Sequence, residues 1–258
     1  MATELTLPAD DALQPGALLA GPLYVEVKKR VMRSLTDGEW PQGAPIPSEA
    51  QLAQRYAVSV GTVRKAIGEL VAERVLVRQP GRGTFVASHN RDYMLEAFFH
   101  IVDERGHKEF PASKLLTFRQ AKADPLSAKY LRLAKDDRVF QFENLLHLQG
   151  KPVIFDRIRV PQAVFPDFDE DVFRQRDMTI FGLYQARHGV TVTRLEEWIR
   201  AANADDRLGR LLDIEPGAAV LRIERVAYTY DRTPVEFRER FVDTRSHAYL
   251  NLLGMKKT

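Results

Sequence analysis

Apolar residues recur at helical spacing through the first third of the chain. Tyr24, Val27, Val31 and Leu35 stand at i, i+3, i+7 and i+11, which puts them on one face of a helix. Pro22 suits its first turn, and Gly38 with Trp40-Pro41-Gln42-Gly43 ends it. A short second helix is predicted from Ser48-Glu49-Ala50-Gln51, because Ser and a Gln three residues on can each satisfy the other's backbone amide. It would bury Leu52, Ala53 and Tyr56. After the turn Ala57-Val58-Ser59, a third helix is predicted with Ser59 as N-cap and Val63, Ala66, Ile67, Leu70 and Val71 as its buried stripe. Gly61, Thr62, Arg64, Lys65 and Gly68 fall on the other side. The period then changes to two, giving strands over 75–79 and 83–86 around the turn Pro80-Gly81-Arg82-Gly83.

Beyond about residue 90 the pattern is strands with intervening helices, and it repeats. Leu131-Arg-Leu, Val139-Phe-Gln-Phe-Glu143, Lys-Pro-Val and Phe155-Asp-Arg-Ile-Arg159 are echoed by Leu212-Asp-Ile, Val220-Leu-Arg-Ile-Glu224, Thr-Pro-Val and Phe237-Arg-Glu-Arg240. Each unit reads as a helix end, a turn and a hairpin closed by a Pro-containing loop. Two such hairpins in one sheet predict an antiparallel α+β domain with pseudo-symmetry, and clefts between half-domains are common ligand sites.

Composition narrows the class. At 258 residues, 45% hydrophobic and 28% charged, the chain suits one large or two modest globular domains. It has no cysteine, which removes disulfides and thiolate metal sites. No apolar stretch approaches a membrane span, and residues 1–20 do not read as a signal peptide, so a cytoplasmic protein without membrane contact is expected. The net charge of +3 is uneven. Residues 22–88 hold ten Lys/Arg against six Asp/Glu, a local +4, as expected of a module that meets a polyanion. Residues 1–21, with Pro8, Pro15 and Gly16, are expected to be a mobile arm.

Arg64 and Lys65 put charge on the outward face of the third helix, and Gly61 and Gly68 leave room for a phosphate backbone. A recognition helix in the major groove reads bases with its N-terminal residues. Two basic residues on a helix face are more often merely solvated; the glycine-flanked Arg82 on a hairpin tip, suited to the minor groove, shifts the balance. Residues 22–88 then closely resemble the winged helix-turn-helix of the GntR family of bacterial transcription regulators, through Pro47-Ser-Glu-x-x-Leu-Ala53, Val58-Ser-x-x-Thr-Val-Arg64-x-Ala66 and Gln79-Pro-Gly-Arg-Gly-Thr-Phe-Val86. The resemblance implies DNA contacts from Ser48, Ser59, Gly61, Thr62, Arg64, Lys65, Gly81, Arg82, Gly83 and Thr84. Family members often carry Arg at the position of Val60, and some at that of Ala50, so Thr62, Arg64 and the wing must carry more of the readout here.

The second half resembles, more loosely, the UTRA ligand-sensing domain of the HutC-like branch, through the paired hairpins, Thr179-x-x-x-x-Tyr184 with Arg187-His-Gly189, and Thr233-Pro-Val-Glu-Phe237. The fold expected is therefore a mainly α winged helix-turn-helix (22–88), a linker (89–94) and an α+β antiparallel sheet domain related to chorismate lyase (95–252), which would bind an effector and dimerise. By that resemblance Asp156, Thr179, Tyr184, Glu236 and Arg238 are the effector residues. Arg157 and Arg159, on the other strand face, would serve the dimer. Members that sense phosphorylated sugars carry two Arg where this chain has Asn144 and Leu146, which disfavours a sugar phosphate, because a buried anion needs paired cations. An organic acid or amino-acid catabolite, held partly by Arg238, is preferred.

The function expected is a homodimeric regulator, a repressor, of a double-stranded operator. The alternatives are a chorismate lyase-like enzyme on an aromatic acid, with a DNA-binding appendage, and an architectural DNA binder. No Gly-x-Ser-x-Gly, P-loop or dinucleotide fingerprint is present, so no catalytic residue and no cofactor is expected. The six histidines (89, 100, 107, 147, 188, 247) include no pair at i, i+3 or i+4, and no metal site is expected.

Overall fold

The structure, a computed structural model, describes residues 22–252. The expected N-terminal arm, 1–21, lies outside them. The chain divides into two compact units, with the break after Ser88.

The first unit contains α1 (Leu23–Thr36), α2 (Glu49–Tyr56), α3 (Val60–Ala72) and a hairpin of β1 (Leu76–Gln79) with β2 (Gly83–Val86). Both α1 and α2 pack on α3, burying Val27, Val31 and Leu35, then Leu52, Ala53 and Tyr56, against Val63, Ala66, Ile67 and Leu70. Val71, expected in that stripe, is only half-buried. The α2 capping box forms: the Gln51 amide donates to Ser48 Oγ (3.3 Å) and the Ser48 amide to Gln51 Oε1 (2.8 Å). Ala57 in the left-handed region (φ 53°) closes α2, and Ser59 caps α3 by accepting from the Thr62 amide at 3.1 Å. At the hairpin tip Gly81 (φ +70°) and Gly83 (φ +115°) adopt backbone angles that cost any residue with a Cβ.

The second unit is built on one six-stranded antiparallel sheet. Before it come α4 (Arg91–Ala97) and β3 (Ile101–Asp103). The first repeat runs β4 (Ala112–Lys122), α5 (Pro125–Leu131), β5 (Arg138–Leu148) and β6 (Lys151–Pro161). Then α6 (Glu170–Gln175) and α7 (Ile180–His188) intervene. The second repeat runs β7 (Arg194–Asn203), α8 (Asp206–Leu212), β8 (Ala219–Tyr228) and β9 (Pro234–Asp243), and β10 (His247–Tyr249) pairs with β3. The sheet order β4-β5-β6-β9-β8-β7 sets the two repeats edge to edge. Arg157 stands opposite Glu239, its own counterpart in the repeat, so the pseudo-two-fold passes through that pair.

Alternation decides what each face of the sheet meets. Phe155, Leu145 and Val220 pack with Leu208 and Leu212 of α8, and Val139, Val226 and Phe237 with Leu131 of α5. The alternate residues Phe140, Phe142, Ile158 and Val160 meet Phe98 beside α4, Phe173 of α6 and Phe181, Leu183 and Tyr184 of α7. On the α5/α8 face Arg157 pairs with Glu143 (3.1 Å), and Arg159 with Glu239 and Asp124 (both 2.8 Å). Those guanidiniums, expected to serve a dimer, are thus engaged within the chain.

The segment 89–94, expected as a linker, is instead tied down. Asn90 caps α4 by accepting from the Tyr93 amide at 2.8 Å, and His89 is buried among the side chains of its own unit. The physical reason is an Asx cap, which starts a helix from a polar residue that composition alone would place in a loop.

Phe142 is fully buried and lies 4.6 Å, centroid to centroid, from Phe173. Phe142→Ala is expected to lower the stability of the chain by about 3–5 kcal/mol, read from urea unfolding followed by circular dichroism.

Candidate functional site

Two surfaces gather the sequence-predicted residues, one in each unit. In the first, the N-terminus of α3 and the hairpin tip are exposed together with their polar groups. Gly61, Arg64 and Lys65 are exposed and Thr62 half-buried. Ser59 Oγ and Thr62 Oγ1 lie 2.8 Å apart, so the two hydroxyls orient each other at the first turn of the helix. The Arg64 side chain is 65% exposed, yet its Nε donates to Glu49 Oε2 at 2.8 Å. Arg78 of β1 donates to the other oxygen of Glu49 at 3.1 Å. One carboxylate at the start of α2 thus holds a guanidinium from α3 and another from the hairpin. The Lys65 ammonium sits 3.8 Å from the centroid of the Tyr24 ring, a cation–π contact that fixes a long side chain against α1. Gly81, Arg82 and Gly83 are exposed at the tip and Thr84 is half-buried, with the Arg82 guanidinium 5.6 Å from the Phe85 ring. Ser48 is spent on the capping box. No helical stripe or cap in the sequence marks Arg78 or the organising role of Glu49. A charge next to a turn on an exposed strand position was the available signal for the first.

In the second unit a cavity of ≈ 250 Å³ opens on the sheet face that carries α4, α6 and α7. Asn144, Asp156 and Arg240 lie side by side on adjacent strands, and Arg225 and Arg238 form the next row. Met94, Leu95, Phe98, Phe99, Leu146 and Phe181 supply apolar wall, and Arg174, Arg176, Asp177, Met178, Thr179 and Ile180 line the cavity from the α6–α7 segment. The floor is an ion network. Asp156 accepts from Arg238 (3.0 Å) and twice from Arg240 (2.7 and 2.8 Å). Glu236 accepts twice from Arg238 (2.9 and 3.0 Å) and from the Tyr184 hydroxyl (2.7 Å). Arg225 donates to Glu197 at 2.6 Å.

These contacts set the protonation states. Burial alone would raise the Asp156 carboxyl, but Arg240 and Arg238 outweigh it and hold the group below its usual range. Burial works against the Arg238 charge, yet Glu236 and Asp156 hold it above the ordinary arginine value. Burial, reinforced by the Glu236 charge, lifts the Tyr184 hydroxyl well above its ordinary range, so it remains a donor. Arg176 differs from the floor arginines. It donates to the Phe173 carbonyl (2.6 Å) and to Ser113 Oγ (3.2 Å) and lies 3.8 Å over the Phe173 ring. Burial, with the Arg238 charge nearby, lowers it to about 10.

Of the five expected effector residues, Asp156, Thr179 and Arg238 line the cavity. Tyr184 and Glu236 stand behind the wall, bonded to each other and bracing Arg238. The Thr179 hydroxyl is already engaged: it donates to the His89 carbonyl (2.8 Å) and accepts from the Gly182 amide (2.9 Å). The His89 backbone amide donates to Gln185 Oε1 (3.2 Å), and the ring nitrogens lie 3.0 Å from that oxygen and 2.8 Å from the Val192 carbonyl, to one of which the neutral imidazole donates. Neither Arg176 nor His89 lies in a motif, so their positions become visible only in the fold. Among the described residues no group of His, Asp or Glu is placed to hold a metal ion, and no helix is long and apolar enough to cross a membrane.

Comparison with known proteins agrees with this division. The model for bacterial regulatory proteins of the gntR family matches residues 23–86, and that for the UTRA domain matches 104–247. The chain is 30% identical over 224 residues to a probable fructoselysine utilization operon transcriptional repressor of Escherichia coli K12, covering 85% of this chain and 89% of that one. It is 31% identical over 218 residues to the histidine utilization repressor of Pseudomonas putida, covering 83% and 85%. The ligand-binding domain of a protein assigned to the GntR family from Bordetella bronchiseptica superposes with a TM-score of 0.57 at 25% identity, over 60% of this chain and 96% of that one. With a gntR-type helical unit followed by a UTRA ligand-sensing domain, the chain belongs to the GntR family of transcriptional regulators, not to a family of enzymes.

Proposed function

We propose that this protein is a cytoplasmic, homodimeric repressor of a catabolic operon, which leaves a two-fold-related DNA operator when a small organic acid fills the cavity of its second unit. The observation that carries the reading is one chain holding both an exposed, basic helix start with a glycine-flanked Arg wing and a cavity floored by buried ion pairs. We assign DNA contact to residues 22–88, through Gly61, Thr62, Arg64 and Lys65 in the major groove and Gly81 to Thr84 at the minor groove. Effector binding and dimerisation fall to the second unit. Its two-repeat antiparallel sheet supports a kinship with the chorismate lyase fold, with binding in place of turnover. The two curated relatives named above are repressors of fructoselysine and histidine utilization; both nutrients are amino acids or derivatives of one, which favours a carboxylate-bearing catabolite.

Coupling follows from where the chain is fastened. His89, the first residue of the second unit, is held by Thr179 and Gln185 of the α7 segment, and Asn90 starts α4. Both helices line the cavity. A ligand that prefers one placement of α4 and α7 therefore acts on the point where the chain enters from the DNA-binding unit, and it shifts DNA affinity only by its differential affinity for the two placements.

Arg64→Ala is expected to weaken binding to the specific operator by about 10- to 100-fold, and Arg82→Ala to lower affinity and flatten its salt dependence. Fluorescence anisotropy over a salt series with competitor DNA measures both; sequence-indifferent binding unchanged by Arg64→Ala would sink the recognition-helix assignment. Gln185→Leu, which removes a grip on His89, is expected to leave effector and operator binding each intact while reducing the effect of one on the other several-fold. Operator titrations with and without saturating effector show whether it does.

A further inference from the structure

The floor of the cavity is electrically closed. Arg225, Arg238 and Arg240 are matched by Glu197, Glu236 and Asp156, so a ligand anion gains little from Arg238, whose guanidinium is committed to two carboxylates. Arg174, which lines the cavity from α6, is paired with Glu170 at 2.9 Å. Arg176 is different: its partners are a carbonyl and a hydroxyl, and no carboxylate among the described residues lies within ion-pair distance. The acids lining the cavity are Asp156, already spent on two arginines, and the exposed Asp177. A partly desolvated cation without a counter-ion is stabilised when an anion arrives.

A second observation is independent of charge. Asn144 is 0% exposed and lines the cavity, and neither its Oδ1 nor its Nδ2 has a hydrogen-bond partner. A buried amide left unpaired costs about 1–3 kcal/mol, a cost the fold has no structural reason to carry at a position flanked on its strand face by Phe142 and Leu146. An amide presents both a donor and an acceptor, so its complement is a neutral polar group that offers both, or one of each.

We propose that the cavity is selective for a small monocarboxylate whose charge sits on Arg176 and whose amide, hydroxyl or similar neutral group is read by Asn144, with an apolar body against Phe98, Phe99 and Leu146. This rests on the effector reading above and replaces Arg238 with Arg176 as the anion partner. Arg91, the other lining cation with no ion pair among the described residues, is exposed and lies 4.8 Å from the Phe110 ring centroid. A phosphate ester, as a dianion, therefore finds one half-buried uncommitted cation, Arg176, and Asn144 cannot neutralise its second charge.

The test uses the full-length protein and named probes: N-acetylglycine, hippurate and lactate as carboxylates, hippuramide as the uncharged control, and glucose 6-phosphate and inorganic phosphate as the phosphate arm. Binding is measured by isothermal titration at constant ionic strength, on the wild type, Arg176→Gln and Asn144→Leu, with melting curves to check folding. At least one carboxylate is expected to bind at millimolar or lower concentration, with hippuramide and both phosphates weaker. Each substitution is expected to weaken it roughly tenfold or more, and Asn144→Leu to melt no lower than the wild type, because it removes an unpaired buried amide. No carboxylate binding, tighter binding of a phosphate, or carboxylate affinity unchanged in both variants would overturn the proposal. The same probes are added to operator titrations. Asn144-dependent carboxylate binding that leaves DNA affinity untouched would support the ligand class and defeat the effector reading. Operator release by glucose 6-phosphate independent of Asn144 would do the reverse.

Discussion

The junction of the two repeats is held by ions. Asp156 on β6 faces Arg240 on β9 across the seam, and the same face carries Arg238, Glu236 and, one strand over, Arg225. All are nearly or fully buried. Taking such groups out of water costs several kcal/mol each, so the network is a poor source of net stability. It works as a condition on geometry. Side chains alternate along a strand, so a register slip of one residue between β6 and β9 would turn one set of charges away from its partners and leave both unpaired in the interior. Losing one partner of a buried pair costs about 3–5 kcal/mol, a penalty large against the stability of a whole domain. The sheet can therefore close in one register, and the helices above it inherit fixed positions.

The first unit solves a smaller version of the same problem. Arg64 and Arg78 must face a polyanion, yet two cations on a small domain repel. Glu49 bridges them, which sets their directions while leaving both side chains about half exposed or more. Exposed pairs of this kind contribute little to stability. Their value lies in orientation before contact, since a long side chain that is already placed loses less entropy when it meets DNA. Glu49 can do this because the capping box fixes the start of α2, so a rule about helix ends ends up positioning a binding surface.

Local rules were legible wherever a single residue type enforces a backbone state. Ser48 with Gln51, Ser59, and Gly81 with Gly83 mark helix starts and the wing tip, and the helical stripes were readable to within a half-buried Tyr24 and a half-buried Val71. The repeat announced the paired hairpins. What the chain did not disclose is which charges neutralise which. Arg238 reads as a ligand cation until Asp156, 82 positions earlier, is seen to meet it, and Tyr184 and Glu236 read as contacts until they are seen to face each other. Residues 89–94 read as a linker because their anchor, Gln185, lies 96 residues away. Long-range pairing leaves no periodic trace.

The repeat also explains the make-up of the cavity floor. On the α5/α8 face some counterparts kept their roles: Glu143 and Glu224 both serve as ion-pair hubs, and Arg157 meets Glu239 on the pseudo-axis. On the other face the counterparts diverged. Asn144 corresponds to Arg225, Asp156 to Arg238 and Ile158 to Arg240. A symmetric floor would carry either the arginines of the second half twice, which repel, or the Asp156 carboxylate of the first half twice, which repel each other and an anionic ligand. Divergence instead put carboxylates beside guanidiniums, so the floor neutralises itself. It also left an amide where the other half has an arginine, and α6 and α7, inserted between the repeats, brought Arg176 over it. Selectivity in such a site comes from the positions at which one half stopped copying the other, and those are the positions at which relatives with different effectors are expected to differ.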